Sequence, residues 1–264
     1  NVTMTDRIDR IAQAIKTAHE TGEPFRNLDG DLAPADVPEA YAAQFRLHDL
    51  HAGNGRGGLG GRKIALASKV QQELCGIDHP IAGAIFADEI MASPAAINLA
   101  DYHGLGIEFE LAVRLADDLT GALAPFGRDT ISGHIAGVHP AFELIIDRNA
   151  DYGNLDALTM IADNAWCAGV VLGPEIPDWR ALDLDELPAT LHWNDDAPVA
   201  ARTGLADPLG SLAWVANLVT GMGGTIRAGD IVITGSVIKT RYPEPGDRMR
   251  YDIDGRADVV LTIN

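Results

Sequence analysis

Residues 104–115, GLGIEFELAVRL, constrain the fold most, because apolar side chains occupy every second position from Ile107 to Leu115. A period of two is typical of a β-strand with one buried face and not of a helix. Glu108 and Glu110 then share the other face, about 7 Å apart along the strand. Two such carboxylates repel each other unless a cation lies between them, and oxygen ligands suit Mg²⁺, Mn²⁺ or Ca²⁺. The alternative is a solvent-exposed face on which both glutamates are merely hydrated.

Length and charge limit the class of protein. The chain has 264 residues and a formal net charge of −18, enough for one large domain and unfavourable for binding nucleic acid or anionic membranes. No apolar run reaches the roughly 18 residues needed to span a bilayer, and the first ten residues lack the apolar core of a signal peptide. Cys75 and Cys167 are too few for a disulfide framework, so we expect a cytoplasmic protein.

Two helices are predicted near the start of the chain. Ile8, Ile11 and Ile15 recur at helical spacing, and Gly22 is suited to end that helix. A second helix is expected from about Pro38, since proline is tolerated at a first helical position.

A glycine-rich segment follows these helices. Residues 53–61, GNGRGGLGG, contain six glycines in nine but lack the Lys-Ser/Thr ending of a phosphate-binding loop. We interpret this segment as a flexible connection. The predicted division is therefore a helical N-terminal segment over residues 1–60 and a β-rich domain over residues 61–264.

Short strand-like segments dominate this second part. The candidates are GAIFADEIM, GIEFELAVRL, AFELIID, ATLHWN, DIVITG, RMRYDID and ADVVLTI, and the Asp254-Gly255 pair predicts a hairpin turn between the last two. A short helix is expected between Ser68 and Gly76, and a longer one after Asp207 as its N-cap. Strands without regular βαβ alternation indicate an α+β or β-roll body.

A third acidic residue lies in the segment HPAFELIID, where Glu143 is surrounded by apolar neighbours. An ionised carboxylate in such a strand is costly without a partner. It is either a buried acid paired with an arginine or a third metal ligand.

Eight segments in one order resemble the 2-keto-4-pentenoate hydratase family, a branch of the fumarylacetoacetate hydrolase superfamily, over roughly residues 35 to 262. They are GRKIALAS, GAIFADEI, GIEFELAVRL, HPAFELIIDR, IADNAWCAGVVLG, DPLGSLAWVANL, AGDIVITGS and EPGDRM. The resemblance implies an α+β fold, a mixed β-sandwich roll like the fumarylacetoacetate hydrolase C-terminal domain, preceded by the helical segment. It also implies that residues 61–264 are the catalytic domain and that Glu108, Glu110 and Glu143 bind Mg²⁺ or Mn²⁺.

The same resemblance implies catalytic roles for two residues. Lys63 matches the family lysine and is expected to transfer a proton or hold the substrate carboxylate, with a pKa lowered beside the metal; the alternative is an exposed strand lysine. Asp88 matches an acidic position and is expected to orient Lys63 or a water, with a loop-capping role as the alternative.

Two further segments match family motifs. Thr234, Gly235 and Ser236 match a Thr-Gly-Ser loop whose hydroxyls and amides are expected to bind substrate, although a plain turn explains them as well. Asp163 and Asn164 are expected either to orient the ligands or to cap a helix that follows them.

The chain departs from the family pattern at three places. Ala65 stands where many members have glycine, and Asp207 where several have histidine. Lys239, Arg241 and Tyr242 stand where relatives are mostly small or apolar. Lys239 and Arg241 are therefore candidates to hold a second anionic group of the substrate, with exposed loop positions as the alternative.

The implied function is a metal-dependent hydratase. It would add water to a 2-hydroxy-2,4-dienoate or 2-oxo-4-enoate to give a 4-hydroxy-2-oxo acid, as in the degradation of aromatic compounds. The alternatives are a 2-oxo-3-enedioate decarboxylase, an acylpyruvate hydrolase and a non-catalytic metal-binding partner subunit. We expect a small-molecule 2-oxo acid as substrate and a homo-oligomer, with a related pathway enzyme as a further possible partner.

Overall fold

The computed structural model describes residues 3–264, apart from the side chain of Arg56, and contains twelve strands and six helices in that range. The strands are β1 (Leu59–Ala65), β2 (Ile81–Phe86), β3 (Ile90–Ala92), β4 (Ala95–Ile97), β5 (Leu105–Leu115), β6 (Ile135–Ile146), β7 (Cys167–Leu172), β8 (Pro188–Trp193), β9 (Val199–Arg202), β10 (Ile231–Ile233), β11 (Arg248–Ile253) and β12 (Ala257–Ile263). The helices are α1 (Met4–Thr21), α2 (Val37–His51), α3 (Lys69–Cys75), α4 (Arg128–Ile131), α5 (Ala157–Ala162) and α6 (Pro208–Gly221). No helix among them is long and apolar enough to cross a bilayer.

The strands form two mixed sheets. The larger has the order β2-β1-β10-β5-β6-β7-β3, and the smaller has the order β4-β12-β11-β8-β9. Most neighbours are antiparallel, but β1 pairs with β10 in parallel. The longest pairing joins β5 to β6 and places Glu108 opposite Glu143. The α+β mixed-sheet fold expected from the sequence is confirmed.

The apolar face of β5 forms the core between the sheets. Phe109 lies edge-on to Phe142, with ring centroids 5.9 Å apart, and 5.9 Å from the ring of Tyr251 on the smaller sheet. Ile107 and Leu111 are buried on the same face. The period of two in the sequence therefore separates a hydrophobic face from the face that carries the glutamates.

The predicted N-terminal helices are confirmed. Gly22 caps α1 in the left-handed conformation, with φ at 68°. Asp36 caps α2, which begins at Val37 and has Pro38 as its second residue. Both helices pack on the domain that follows them, since the Gln44 side chain of α2 donates hydrogen bonds to Ala82 O and Ile161 O.

The prediction of a flexible glycine-rich connection over residues 53–61 is wrong at its second half. Strand β1 begins at Leu59, so the expected boundary at residue 60 falls inside a strand. A Cβ atom at Gly61 would lie 1.8 Å from Ile231 O, which leaves no space for any side chain. This glycine permits the close approach of β1 to β10 and does not provide flexibility.

Other elements agree with the sequence or refine it. The Asp254-Gly255 turn joins β11 to β12, with φ of 54° and 66° as a type I′ hairpin requires. Asp207 caps α6 and accepts a hydrogen bond from Gly210 N. The candidate strand GAIFADEIM is interrupted by a 3₁₀ turn at Ala87–Glu89. Strand β7 was not among the predicted strands.

Candidate metal and substrate site

Three carboxylates converge on one face of the larger sheet. Glu108 and Glu110 lie two residues apart on β5, and Glu143 faces them from β6. One oxygen from each side chain lies within 4.8 Å of the others. Glu110 is 1% exposed and Glu143 is fully buried, whereas Glu108 is half-buried. The wet strand face considered as the alternative is therefore excluded.

Two of the carboxylates are held by neighbouring hydrogen bonds. Gly235 N donates to Glu110 Oε2 at 3.0 Å, and Thr240 Oγ1 donates to Glu108 Oε2 at 2.9 Å. Glu143 Oε1 is buried and accepts no hydrogen bond from the described residues. A buried carboxylate oxygen without a donor is costly, so this atom is available as a ligand.

The electrostatics of the cluster also suit a cation. Burial, together with Glu143 and Glu108, holds the pKa of Glu110 well above its ordinary value. Burial raises the pKa of Glu143 to about 7, against the opposing charge of Lys63. A divalent cation would offset both the cost of burying these charges and the repulsion between them. Three carboxylates on an octahedral Mg²⁺ leave positions for water and substrate, so the residues fit the implied metal.

Lys63 joins this cluster from β1. Its side chain is buried, Nζ lies 3.1 Å from Glu143 Oε2, and it donates a hydrogen bond to Ala165 O at 2.8 Å. The alternative of an exposed strand lysine is therefore wrong. Burial alone would lower the pKa of Lys63, but the carboxylates of Glu143 and Glu108 raise it above its ordinary value. The expected lowering of this pKa is not found, because three acids surround one ammonium.

The Thr-Gly-Ser segment contacts the site through its backbone. Thr234 Oγ1 donates to Leu111 O, and Ser236 Oγ donates to Ile238 O, so both hydroxyls are engaged by carbonyl groups. Gly235, with φ at 117°, directs its N–H to Glu110. The segment thus positions a metal ligand, and direct contact with substrate stays a prediction.

Asp88 lies in the 3₁₀ turn after β2 and is exposed. Its carboxylate faces Gly57, where a Cβ atom would lie 2.8 Å from Asp88 Oδ2. The groups in contact with Lys63 Nζ are Glu143 and Ala165 O, so the predicted orienting of Lys63 finds no support in contacts. The position of Asp88 agrees with the alternative role in the loop.

Asp163 and Asn164 are buried and directly precede Ala165, whose carbonyl accepts a hydrogen bond from Lys63. Asp163 accepts hydrogen bonds from Arg148 Nη2 and His19 Nε2, both at 3.0 Å. These two bonds lower the pKa of the Asp163 carboxyl although burial opposes them. The alternative that the pair caps a following helix is wrong, because α5 ends just before Asp163 and strand β7 follows.

The basic residues proposed for a second anion flank Thr240, whose hydroxyl contacts Glu108, and their role in binding substrate stays a prediction. Lys239 is exposed, and Arg241 Nη2 is 3.1 Å from Asp196 Oδ2 while its guanidinium stacks on Trp193 at 4.3 Å. Tyr242 is half exposed and shares a hydrogen bond with Tyr152 OH at 2.8 Å. Arg241 is therefore engaged by an acid and an indole ring.

A cavity of about 370 Å³ lies on the far side of Cys167 from the carboxylates, none of which lines it. Cys167 connects the two: it lines the cavity, and burial together with the nearby Glu143 raises its thiol pKa well above the ordinary value. Side chains that sequence reasoning did not assign also line it, among them His19, His51, Arg148 and Trp166. The motif IADNAWC was the available signal for Trp166 and Cys167, but nothing local marked the histidines of α1 and α2.

A roll of two mixed sheets, with three converging carboxylates on two adjacent strands of the larger sheet, defines a known class of fold. The family model for the fumarylacetoacetate (FAA) hydrolase C-terminal domain matches residues 67–264, and the chain belongs to this family. A solved structure of 4-oxalocrotonate decarboxylase from Pseudomonas putida G7, complexed with magnesium and adipate, superposes with a TM-score of 0.88 at 22% identity, covering 100% of this chain and 99% of that one.

Curated relatives narrow the resemblance to one branch of that family. The 2-keto-4-pentenoate hydratase of Burkholderia vietnamiensis (strain G4 / LMG 22486) is 32% identical over 259 residues, which is 97% of each chain. That of Paraburkholderia xenovorans (strain LB400) is 30% identical over 95% of this chain and 93% of the relative. The 2-oxo-hept-4-ene-1,7-dioate hydratase of Escherichia coli is 32% identical over 92% of each chain.

Proposed function

We propose that the protein is a divalent-metal-dependent hydratase that converts a 2-hydroxy-2,4-dienoate, through its 2-oxo tautomer, to a 4-hydroxy-2-oxo acid. The observation that carries this proposal is the buried Lys63 ammonium, 3.1 Å from one of three converging carboxylates. The reaction needs proton transfer and stabilisation of enolate charge, and this cluster would supply a proton donor beside a bound cation. Relatives named as hydratases over almost the whole chain support the same reaction.

Glu108, Glu110 and Glu143 would hold Mg²⁺ or Mn²⁺. Solved neighbours containing magnesium or calcium support the choice of an ion that prefers oxygen ligands. When bound, such an ion supplies Lewis-acid stabilisation of negative charge on the substrate oxygen. Gly235 N and Thr240 Oγ1 fix two of the carboxylates in place, so the ligand set needs little rearrangement on binding.

Lys63 is the group that moves the proton. Its Nζ pairs with Glu143 Oε2 and donates a hydrogen bond to Ala165 O, and a further N–H of the ammonium would donate to the substrate. In ketonisation the 2-hydroxyl loses its proton and C5 gains one, which leaves a C3–C4 double bond conjugated with the 2-oxo group. Water then adds at C4, and a second proton reaches C3. The cavity beside Cys167 would accommodate the distal end of the substrate.

We also propose a homo-oligomer, because closed symmetric assembly is common among soluble oligomers. A cytoplasmic location is proposed because two cysteines are too few for a disulfide framework. The proposed substrate is a small 2-oxo acid. Arg241 is engaged by Asp196, so the proposal does not include a second substrate carboxylate at that position.

The proposal is tested with purified protein and 2-hydroxypenta-2,4-dienoate, with and without Mg²⁺ or Mn²⁺. We expect metal-dependent loss of the dienol absorbance in the wild type and none in a Glu108→Ala, Glu110→Ala double variant. No loss in the metal-loaded wild type would exclude the hydratase. Release of CO₂ from a 2-oxo-3-enedioate would then identify the decarboxylase alternative, and no turnover of either substrate would indicate a silent partner subunit.

A further inference from the structure

The carbonyl that holds Lys63 belongs to a backbone segment of unusual conformation. Asn164, Ala165 and Trp166 have φ of 74°, 50° and 62°, three successive left-handed residues without a glycine. Such conformations persist only where surrounding contacts impose them, and they cluster at functional sites. Here the segment turns Ala165 O towards Lys63 Nζ at 2.8 Å. The contacts that impose this conformation therefore also determine where the ammonium lies.

The first of these contacts is a two-way pairing of Asn164 with β2. Asn164 Nδ2 donates to Ala84 O at 2.9 Å, and Ala84 N donates to Asn164 Oδ1 at 2.7 Å. The backbone also approaches closely, because a Cβ atom at Gly83 would lie 2.6 Å from Asn164 O. The pairing fixes which end of the Asn164 amide is the acceptor.

The second contact comes from the N-terminal helices. His48 of α2 is 5% exposed, and its Nε2 lies 2.8 Å from Asn164 Oδ1. Since that oxygen is the acceptor, the His48 ring carries its proton on Nε2 and donates it. A buried side chain of α2 is thus linked through Asn164 and Ala165 O to Lys63.

We propose that His48 is a positioning residue for Lys63, acting through the Asn164 amide and the Ala165 carbonyl. The inference rests on the proposed role of Lys63 in proton transfer. The helical N-terminal segment is then part of the catalytic unit, because α2 supplies the His48 hydrogen bond that helps to fix residues 164–166.

The experiment compares donors of different reach at position 48 in the full-length, Mg²⁺-loaded protein. His48→Gln places an amide N–H near the position of Nε2, whereas His48→Asn has a shorter side chain that does not reach Asn164. His48→Leu removes the donor altogether. Tyr41→Phe is the matched control: Tyr41 OH accepts a hydrogen bond from Ala82 N at 3.0 Å, which also joins α2 to β2 but does not involve Asn164.

We expect His48→Leu and His48→Asn to lower kcat by roughly 10- to 100-fold, the loss associated with a catalytic group displaced by about 1 Å. KM and the Mg²⁺ dissociation constant should change by less than about threefold, since the carboxylates stay in place. His48→Gln should recover most of kcat, and Tyr41→Phe should keep it while losing a similar amount of thermal stability.

Three outcomes would overturn the proposal: unchanged kcat in His48→Asn, equal kcat in the Gln and Asn variants, or a comparable loss in Tyr41→Phe. The comparison of Gln with Asn decides the matter even if His48→Leu does not fold. A Lys63→Met variant with wild-type kcat would instead remove the proposed role of Lys63, which separates failure of the proposed function from failure of this inference.

Discussion

Glu110→Gln should separate the fold from the metal site. The side chain is 1% exposed and accepts one hydrogen bond, from Gly235 N, which a glutamine oxygen can also accept. The substitution removes one of three mutually repelling carboxylates, and burial together with Glu143 and Glu108 already holds the pKa of Glu110 well above its ordinary value. Metal-free Glu110→Gln should therefore be as stable as the wild type or more stable.

Bound metal should make the wild type more stable than Glu110→Gln. A ligand at about 100 times its dissociation constant stabilises the folded state by roughly 2.7 kcal/mol. For a domain of this size each kcal/mol raises Tm by about 2–4 °C, so Mg²⁺ should raise the wild-type Tm by roughly 5–11 °C. Glu110→Gln should gain less than about 2 °C under the same conditions.

Differential scanning calorimetry of both proteins, in EDTA and in excess Mg²⁺, measures these four values. The solvent-exposed Glu186, paired with Arg202 at the surface, provides a matched Glu→Gln control that should leave the Mg²⁺ effect intact. Metal-free Glu110→Gln that melts several degrees below the wild type, or that keeps the full rise with Mg²⁺, would refute the reasoning.

Four further predictions address charge and catalysis. Mg²⁺ affinity, measured by calorimetric titration, should strengthen as pH rises towards about 7, by up to about tenfold per pH unit. The reason is that the metal must displace the proton from Glu143, whose pKa is raised to about 7. A pH-independent affinity would contradict this. For the same reason the metal-free protein should lose stability as pH rises from the ordinary value of 4.5 through about 7, a trend that urea unfolding at several pH values would reveal or exclude. Lys63→Met should lower kcat by roughly 10²–10⁴-fold in the dienoate assay, and a loss below threefold would count against proton transfer by this residue. Arg241→Gln should change kcat less than twofold and stability by less than about 2 kcal/mol, since its partners are the half-exposed Asp196 and the Trp193 ring; a large rise in KM would place Arg241 in the substrate site after all.

Local sequence patterns were sufficient for much of the fold. The alternation along β5 specified both its core face and the shared side of Glu108 and Glu110. Gly22 and Pro38 marked helix ends because capping depends on residues within one turn. The glycine-rich segment was wrongly predicted to be flexible throughout. Gly61 is required because Ile231 O, on a strand distant in sequence, leaves no space for a side chain. Nothing within a local window distinguishes that requirement from flexibility.

Some residues of the site could also be predicted from the sequence, and others could not. Glu143 was conspicuous as an acid in an apolar strand, and the resemblance to a family supplied Lys63. His48 could not be predicted as a contact of Asn164, since the two meet only after α2 packs on β2. The left-handed backbone at Trp166 was equally hidden, because its side chain does not favour that conformation. Residues whose roles depend on tertiary contacts leave no periodic signal.

The parallel pairing of β1 with β10 has a consequence for the order of folding. Gly61 pairs with Ile231, and Lys63 reaches a carbonyl 102 residues further along the chain. Contacts between such distant segments close late, because the entropy of long loops must be overcome before they form. During synthesis, β1 emerges early, and its second edge stays uncovered until β10 has also been synthesised. The strand that carries the lysine is thus an unpaired edge in a nascent chain, where aggregation competes with the last step of assembly.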